Sequence, residues 1–165
     1  LIRKELNKIY KKIYFKNSYF VHRDFHISNL MLIKGKIGIL DSQDAIIGNP
    51  IYDLVSLVDD VRIRTSISLK EKIFNFYLSK TSKNLNKKVK QLKNDFNILS
   101  IQRNLKILGI FYRLFKRDKK KHYLKFMPYT WKLIEVRLRD DMFKNLKLLL
   151  NKAVSKKQRT RVVFR

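Results

Sequence analysis

The spacing of apolar residues changes along the chain and predicts two kinds of local structure. Residues 2–13 carry Ile and Leu three or four positions apart, which is typical of an amphipathic helix. Residues 18–21 form a short β-favouring run. The apolar runs at 30–33 and 37–40 enclose a glycine-containing stretch, residues 34–36, which predicts a β-hairpin with a three-residue turn. The first part of the chain is therefore expected to be a small β platform.

After the predicted hairpin the pattern is almost entirely helical. Asn49 and Pro50 resemble an N-cap followed by a proline in the first turn, so we expect a helix from there to about Val58. Further helices are predicted at residues 70–78, 94–116, 123–137 and 139–151. Pro128 is expected to kink the third of these. The predicted fold class is α+β and mostly helical, with a small β-hairpin platform followed by a helical bundle.

The predicted domain organisation is a single lobe followed by a short tail. We expect the lobe to cover residues 1–153, since a chain of 165 residues is long enough to bury one core. Within it, the platform with the candidate chemistry covers residues 18–60, and the helical bundle covers residues 61–153. Residues 154–165 are strongly basic, and we expect them to form a solvated, poorly ordered tail.

The chain is unusually basic: 39 Lys and Arg residues against 13 Asp and Glu residues leave a formal net charge of +26. Such a charge suits a nucleic-acid-binding module, because lysine and arginine displace counterions from phosphate. The alternative is that lysine is simply the usual polar residue of this sequence. Lysines are spread from Lys4 to Lys157, and only two short blocks, at 116–121 and 152–165, are concentrated. We favour the second interpretation for this reason.

Composition also excludes several other classes of protein. The chain has no cysteine, which excludes a disulfide framework, a zinc ribbon and a thiol nucleophile. No apolar run approaches the ~20 residues of a membrane-spanning helix, so we expect no membrane partner. Residues 1–12 are charged throughout and do not resemble a signal peptide. The chain starts without a methionine, and we expect it to be a piece of a longer protein.

The residues with the clearest chemistry lie around the predicted hairpin. His22, Arg23 and Asp24 are followed after four residues by Asn29, which is the spacing of the catalytic loop H-R-D-x-x-x-x-N. Asp41 stands at the end of the second hairpin strand. Such a loop directs one carboxylate at an acceptor hydroxyl, while an amide oxygen and a second carboxylate bind Mg²⁺, which prefers hard oxygen ligands. Phosphoryl transfer needs mainly this positioning and charge neutralisation.

Each of these residues also has a structural interpretation. Asp24 and Asn29 are residue types that commonly form turns. His22 and His26 are expected to brace the loop through their ring nitrogens rather than take part in chemistry. Asp53 lies in the first turn of the next predicted helix, where the helix dipole alone favours a carboxylate. Its functional alternative is to hold the catalytic loop by accepting backbone N–H groups.

A family resemblance is carried by these same motifs. The C-terminal lobe of the aminoglycoside phosphotransferase family, which has a protein-kinase-like fold, resembles residues 21–60, VHRDFHISNLMLIKGKIGILDSQDAIIGNPIYDLVSLVDD. The stretch is most similar to the bacterial anomeric kinases of N-acetylmuramate and N-acetylglucosamine. The same subgroup resembles residues 101–124, IQRNLKILGIFYRLFKRDKKKHYL, so the likeness extends over most of the chain.

The resemblance implies a role for each matching residue of the site. Asp24 corresponds to the catalytic base, and Asn29 and Asp41 correspond to the metal ligands. Gln43 and Asp44 belong to a D-x-Q-D signature of the subgroup and are candidates for the substrate side of the site. The resemblance also implies ATP and Mg²⁺ as cofactors.

The remaining site residues are expected to brace the loop. Asp53 corresponds to the buried aspartate that holds the catalytic loop in this family. His22, Arg23 and His26 are assigned to the same bracing. By the same resemblance, the protein is expected to be cytoplasmic and to serve in cell-wall sugar recycling.

The chain departs from the pattern of related kinases at several points. Its metal-binding triplet reads Asp41-Ser42-Gln43 instead of D-F-G, and no A-P-E motif follows, so a protein kinase is not expected. Ser42 replaces the aromatic residue that is usual in the family. The sequence also contains no glycine-rich phosphate loop and no strand lysine with an acidic partner. We therefore expect the nucleotide-binding N-terminal lobe to lie upstream, and this fragment alone to be inactive.

The leading expectation is an ATP- and Mg²⁺-dependent phosphotransferase that acts on a hydroxyl of a small sugar or amino sugar. Its partners are then that sugar, ATP and the missing lobe. Two alternatives stay open: a basic nucleic-acid-binding module, and a catalytically incomplete kinase-like remnant. We expect no specific nucleic-acid partner, because the aromatic residues occupy core-like helical positions rather than a basic stacking face.

Overall fold

The computed structural model describes residues 1–81, 83 and 87–160. The described strands are β1 (Tyr19–Val21), β2 (Leu30–Ile33), β3 (Lys36–Ile39) and β4 (Ile46–Gly48). The described α-helices are α1 (Ile2–Tyr10), α2 (Tyr52–Val58), α3 (Ile67–Lys80), α4 (Val89–Asp118), α5 (Met127–Arg137), α6 (Lys144–Ala153) and α7 (Lys156–Thr160). The predicted fold class, α+β and mostly helical, is confirmed.

The chain divides into two compact units. Residues 13–99 form the first, which we call the platform unit. Residues 1–12 together with 100–165 form the second, which we call the helical unit. We expected the platform to end and the helical bundle to begin near residue 60. In the structure the platform unit continues to residue 99, because the helices that directly follow residue 60 share a core with the platform.

Two antiparallel strand pairs belong to the platform unit. β1 pairs with β4, with Tyr19 opposite Gly48, and β2 pairs with β3, with Leu30 opposite Ile39. Gly48 lies against Val21, since a Cβ atom added to it would come within 2.9 Å of a Val21 methyl group. This close approach explains why glycine is needed at the end of β4.

The β2–β3 hairpin is confirmed, but its turn is shorter than predicted. Lys34 and Gly35 have φ angles of 47° and 76°, and Lys36 already belongs to β3, where it pairs with Ile33. Two consecutive residues with positive φ match the right-handed twist of the flanking strands, so the turn closes in two residues rather than three.

The core of the platform unit is built from α2, α3 and the first part of α4. Its buried apolar side chains are Ile51, Leu54, Val55, Val58, Leu92, Phe96 and Leu99. Phe74 of α3 meets Phe96 edge to face, with ring centroids 5.6 Å apart. Removal of this apolar surface from water is the main favourable contribution to folding of the unit.

A buried polar cluster joins three separate segments of the platform unit. The Asp95 carboxylate accepts the backbone N–H groups of Tyr14 and Phe15 at 2.9 and 3.0 Å. Asn49 donates its side-chain amide to Asp95 at 2.9 Å and to the Phe15 carbonyl at 3.1 Å. The cluster therefore holds the chain before β1 against α4 and against the segment before α2.

The predicted N-cap role of Asn49 is wrong. The α2 helix begins at Tyr52, and the Asn49 side-chain oxygen accepts the N–H of Ile51 at 2.9 Å in the turn that precedes the helix. The amide also serves Asp95, so a buried hydrogen-bond network determines the position of Asn49. The side-chain oxygen of Asn49 thus serves the turn before α2, while its nitrogen serves the buried network.

The helical unit combines α1 with helices that are distant in sequence. α1 packs against α6, and Ile9 of α1 is buried. The other buried apolar residues of the unit are Ile101, Leu108, Phe111, Leu124, Trp131, Leu133, Ile134, Leu138, Phe143, Leu146 and Leu150. The amphipathic N-terminal helix is thus confirmed, and its apolar face explains why it joins the C-terminal helices.

Pro128 begins a helix instead of kinking one. Residues Lys121–Phe126 form a 3₁₀ segment, and α5 starts at Met127 with Pro128 in its first turn. A proline is tolerated in the first turn because its missing N–H group has no partner there in any helix. The predicted continuous helix over residues 123–137 is therefore two elements.

The basic tail is better ordered than predicted over the residues that the structure describes. Residues Lys156–Thr160 form α7, and Arg159 is buried with only 3% of its surface exposed. Residues 161–165 lie outside the described residues. Arg159 stacks over the ring of Trp131, which provides a reason for the order of this segment that charge alone does not reveal.

Within the described ranges, none of the helices combines the length and the apolar character that a membrane crossing requires.

Candidate active site

Asp53 binds the backbone of the predicted catalytic loop. Its carboxylate accepts the N–H of His22 at 2.6 Å and the N–H of Arg23 at 2.9 Å, one on each oxygen. Asp53 lies in the first turn of α2, and the two residues that it binds directly follow β1. One carboxylate therefore fixes the path of the chain where the strand ends and the loop begins.

Arg23 adopts a left-handed backbone conformation, with a φ of 73°. Such a conformation is unfavourable for a residue with a side chain, so the surroundings must hold it in place. Its carbonyl accepts the hydroxyl of Ser56 at 3.2 Å, while its guanidinium donates to the Asp44 carbonyl at 3.1 Å. Together with the bond to Asp53, these contacts hold Arg23 by its N–H, its carbonyl and its side chain.

Ser56 is a contributor to the loop that sequence reasoning missed. It is fully buried and lies three residues after Asp53 on α2, so both side chains lie on one face of the helix. The i, i+3 spacing of two polar residues in an otherwise apolar helix was the available signal. The Asp53 carboxylate accepts the N–H of Arg23, and the Ser56 hydroxyl donates to the carbonyl of Arg23.

His22 connects the catalytic loop to the end of the hairpin. Its ring is 3% exposed, and Nε2 lies 2.8 Å from the carbonyl oxygen of Leu40, the residue before Asp41. Because a carbonyl oxygen only accepts, Nε2 carries the hydrogen of this bond. The imidazole therefore holds the residue next to Asp41 close to the start of the loop.

The loop from Asp24 to Asn29 is closed by its own hydrogen bonds. The Asp24 carbonyl accepts the N–H of His26 and the side-chain amide of Asn29, both at 3.0 Å. The His26 carbonyl accepts the Asn29 N–H at 2.9 Å, and His26 itself is buried. Since the Asn29 nitrogen is engaged inside the loop, its side-chain oxygen is the atom with lone pairs to offer a ligand.

Asn29 and Asp41 are brought near one another by the hairpin. The Asn29 carbonyl accepts the N–H of Leu40 at 2.9 Å, so the hairpin ladder extends to the residue before Asp41. Asp41 has a φ of 60° and leads into a 3₁₀ turn, Ser42–Asp44. Strained backbone conformations of this kind recur at sites where a side chain must be directed to one point.

The donors that these residues present suit a magnesium ion. Asp24 and Asp41 are exposed and Asn29 is half-buried, so their oxygens are accessible. Mg²⁺ usually takes only one or two carboxylates from a protein and completes its shell with water and phosphate. In the part of the chain that the structure describes, no cluster of three or more His, Cys, Asp or Glu residues could hold a metal. A site built on Asn29 and Asp41 needs no such cluster, and their role as metal ligands stays a prediction.

Gln43 and Asp44 lie in the 3₁₀ turn after Asp41, and both are exposed. The Asp44 carbonyl receives the hydrogen bond from Arg23, which ties this turn to the catalytic loop. The Asp44 carboxylate and the Gln43 amide are therefore carried by a segment whose backbone is held. Their proposed contact with substrate stays a prediction.

The site residues lie in a part of the chain that matches a known protein family. The model of the phosphotransferase enzyme family matches residues 15–86, a range that contains every site residue discussed above. The match lies in the platform unit, where the loop, the hairpin and α2 come together. The residues of the candidate site therefore match a family of phosphotransferases, and the family resemblance is confirmed.

Several curated kinases are similar to this chain. N-acetylmuramate/N-acetylglucosamine kinase of Neisseria meningitidis is 38% identical over 112 residues, which are 66% of this chain and 34% of that protein. The protein of the same name from Caulobacter vibrioides is 31% identical over 140 residues, or 82% of this chain and 38% of its own length. That of Pseudomonas aeruginosa is 33% identical over 119 residues, or 70% and 35%. The matched part is little more than a third of each relative.

Proposed function

We propose that this chain is the acceptor and metal-binding part of an ATP- and Mg²⁺-dependent kinase for a small amino sugar. The observation that carries the proposal is that Asp53 joins the loop to α2 and His22 joins it to the end of the hairpin. Asp53 accepts two N–H groups at the start of the loop, and the His22 ring bonds the residue before Asp41. A base and two metal ligands can act on one phosphate only if the loop that carries Asp24 and Asn29 is held close to the hairpin end that carries Asp41.

In the proposed reaction, the hydroxyl oxygen of the sugar attacks the γ-phosphorus of ATP. The bond from this phosphorus to the β–γ bridging oxygen breaks, and ADP leaves. The hydroxyl proton passes to the carboxylate of Asp24, which is exposed and therefore accessible to a sugar. The loop bonds of Asp24 are made by its backbone carbonyl, so its side chain is available for this step.

Asn29 and Asp41 would hold Mg²⁺, which when bound neutralises charge on the phosphates. The side-chain nitrogen of Asn29 is already bonded to the Asp24 carbonyl, so its oxygen is presented in a defined direction. The strained backbone of Asp41 and the His22–Leu40 bond restrict the second ligand in the same way. Such preorganisation lowers the cost of assembling the site around the nucleotide.

The amino-sugar acceptor is inferred from the relatives. Curated relatives from three genera carry N-acetylmuramate and N-acetylglucosamine in their names. We infer that an amino sugar of this kind meets Gln43 and Asp44, since their turn adjoins Asp41 and is held by Arg23. We infer that the protein is a cytoplasmic enzyme of cell-wall sugar recycling, where such sugars would be its substrates.

We further infer that the nucleotide-binding lobe lies outside these 165 residues. The chain spans only 34–38% of the curated relatives that it matches, and it lacks a glycine-rich phosphate loop. A kinase of this kind holds ATP between two lobes, so the 165 residues alone should show no turnover.

A coupled ADP-release assay tests the proposal. The full-length protein should phosphorylate N-acetylmuramate or N-acetylglucosamine in the presence of MgATP, and an aminoglycoside serves as the comparison acceptor. Omission of Mg²⁺ should abolish the signal. Failure of the full-length protein on both amino sugars would refute the acceptor class, and robust turnover by the 165-residue chain alone would refute the inference about the missing lobe.

The net charge of +26 supports a second candidate, a nucleic-acid-binding role. Because the lysines are spread along the sequence, we expect only weak, sequence-independent binding that falls steeply with salt. Titration of a labelled oligonucleotide at rising salt measures this. Tight, sequence-selective binding at physiological salt would favour the nucleic-acid role over the kinase role.

A further inference from the structure

A cavity of about 580 Å³ lies in the helical unit, among residues of α5, α6, α7 and the turn that follows α5. All of its described lining residues belong to the helical unit, whereas the candidate active-site residues belong to the platform unit. The volume falls within the range of about 300–1,000 Å³ that is typical of pockets for small molecules. The proposed kinase reaction assigns no role to it.

The charge of the cavity wall is strongly positive. Its cationic side chains are Lys132, Arg139, Lys147, Lys156 and Arg159. Glu135 is the one carboxylate among the lining residues in the described part of the chain. Cations around a concave surface create a positive electrostatic potential inside the cavity. This potential attracts an anion, and a bound anion reduces the repulsion among the cations.

Arg159 is a buried residue of the cavity wall, and several contacts hold its side chain in place. It is 3% exposed, its Nη1 donates to the Glu135 carboxylate at 3.1 Å, and its Nε donates to the Val154 carbonyl at 3.1 Å. Its guanidinium lies over the Trp131 ring at 4.7 Å from the centroid. Its Nη2 has no hydrogen-bond partner among the described residues.

Glu135 is therefore already neutralised by Arg159, and the four remaining cations of the wall face no second lining carboxylate. Lysine is abundant throughout this sequence, so lysines on a surface are not unusual by themselves. The distinguishing features are the concave shape, the buried arginine and the apolar contributions of Trp131, Val136 and Leu138. Such a wall suits a ligand that has a carbon body and several negative charges.

We propose that this cavity binds a small organic anion that carries more than one phosphate group. The lysine and arginine side chains would pair with the phosphate oxygens, and the apolar part of the wall would contact the carbon body. One phosphate monoester carries about two negative charges at pH 7 and would neutralise only part of the four remaining cations, which is why we assign more than one phosphate. The site is independent of kinase activity, and so is its test.

Isothermal titration of the 165-residue chain with fructose 1,6-bisphosphate, beside unphosphorylated fructose, tests the proposal. We expect one site for the bisphosphate and no measurable heat from fructose. Lys147→Gln should weaken binding about tenfold or more, as expected when a charge-assisted hydrogen bond is lost. Lys147 is exposed, so its substitution should not disturb folding. Lys106→Gln is the matched control, because Lys106 is exposed on α4 and does not line the cavity.

A change of less than twofold for Lys106→Gln, beside a tenfold loss for Lys147→Gln, would support the site. An equal loss for both variants would overturn it, because binding would then follow total charge. Absence of binding by the bisphosphate would overturn it as well. Binding of a short RNA that depends on Lys147, with no heat from the bisphosphate, would replace the proposal with a nucleic-acid surface.

Discussion

The platform unit and the helical unit hold their segments together by different means. In the platform unit, carboxylates join segments: the half-buried Asp53 binds the start of the catalytic loop, and the buried Asp95 binds the chain before β1. In the helical unit, apolar side chains such as Ile134, Phe143 and Leu146 are buried completely. Both units have apolar cores, but the first also joins distant segments by directed hydrogen bonds to carboxylates.

The strands of the platform unit explain part of this difference. Phe20 is 67% exposed, Leu32 is 72% exposed and Ile47 is 62% exposed, so the strand pairs bury little apolar surface of their own. Two-stranded ribbons are only marginally stable without a face to pack against. Polar contacts to Asp53 and Ser56 of α2 therefore contribute more to the position of the loop.

Hydrogen bonds specify direction, which apolar contacts do not. The atoms of the candidate site must point to one place, and the bonds made by Asp53, Ser56 and His22 provide that direction. The loop with the chemistry is thus held by few, specific and individually sensitive contacts. Substitutions in the two units should therefore have different consequences.

The largest effect is expected for the chemistry itself. In the full-length protein, Asp24→Asn should lower kcat by about 10²-fold or more, the scale of a positioned general base, with little change in nucleotide affinity. Since the loop bonds of Asp24 use its backbone carbonyl, the variant should fold normally. Steady-state kinetics with an amino sugar measure the effect. Asp141→Asn, in the helical unit, is the control and should retain activity; near-normal turnover by Asp24→Asn would contradict the assignment of the base.

In the helical unit, the expected loss concerns packing. Leu146→Ala removes a fully buried side chain of α6 and should lower the free energy of unfolding by about 2–5 kcal/mol, as cavity-forming substitutions do. Leu148→Ala, on the same helix at 62% exposure, should change it by about 0.5 kcal/mol or less. Urea denaturation of the chain measures both. Equal effects for the two leucines would mean that this helix does not pack as described.

Asp53→Ala tests whether the catalytic loop of the platform unit is held by hydrogen bonds to this carboxylate. It leaves the N–H groups of His22 and Arg23 without their acceptor, which should lower the free energy of unfolding by about 1–3 kcal/mol. The damage should be local, so amide hydrogen exchange at these two residues should accelerate more than exchange in α6. Glu71→Ala, an exposed carboxylate of α3, serves as the matched control. Unchanged exchange at the loop would argue against bracing by Asp53.

The smallest effect is expected for Ser56→Ala. It removes the hydrogen bond to the Arg23 carbonyl, a contribution of about 0.5–1.5 kcal/mol to the free energy of unfolding. Ser68→Ala, exposed on α3, should have almost no effect. Denaturation curves compare the two, and full-length kinetics add a functional measurement. If Ser56→Ala lowered neither stability nor kcat, the clamp on Arg23 would consist of Asp53 alone.

Much of the fold follows from local pattern. The alternation of apolar runs around Gly35 predicts the hairpin, and helical spacing predicts α1, α3 and α4 to within a few residues. These elements were predictable because their signals repeat over several residues. The ends of the elements were less predictable. The hairpin turn closes in two residues, and Pro128 starts α5 instead of bending a longer helix.

The sequence by itself determined which residues form the candidate site, because the spacing from His22 to Asn29 and on to Asp41 can be recognised without a structure. Only the tertiary structure decided what buried polar groups do. Asn49 bonds both Asp95 and the turn before α2, and Arg159 is buried against Trp131 instead of lying in a solvated tail. The physical reason is that a buried donor or acceptor must find a partner wherever the fold brings one, however far apart the two residues are in sequence.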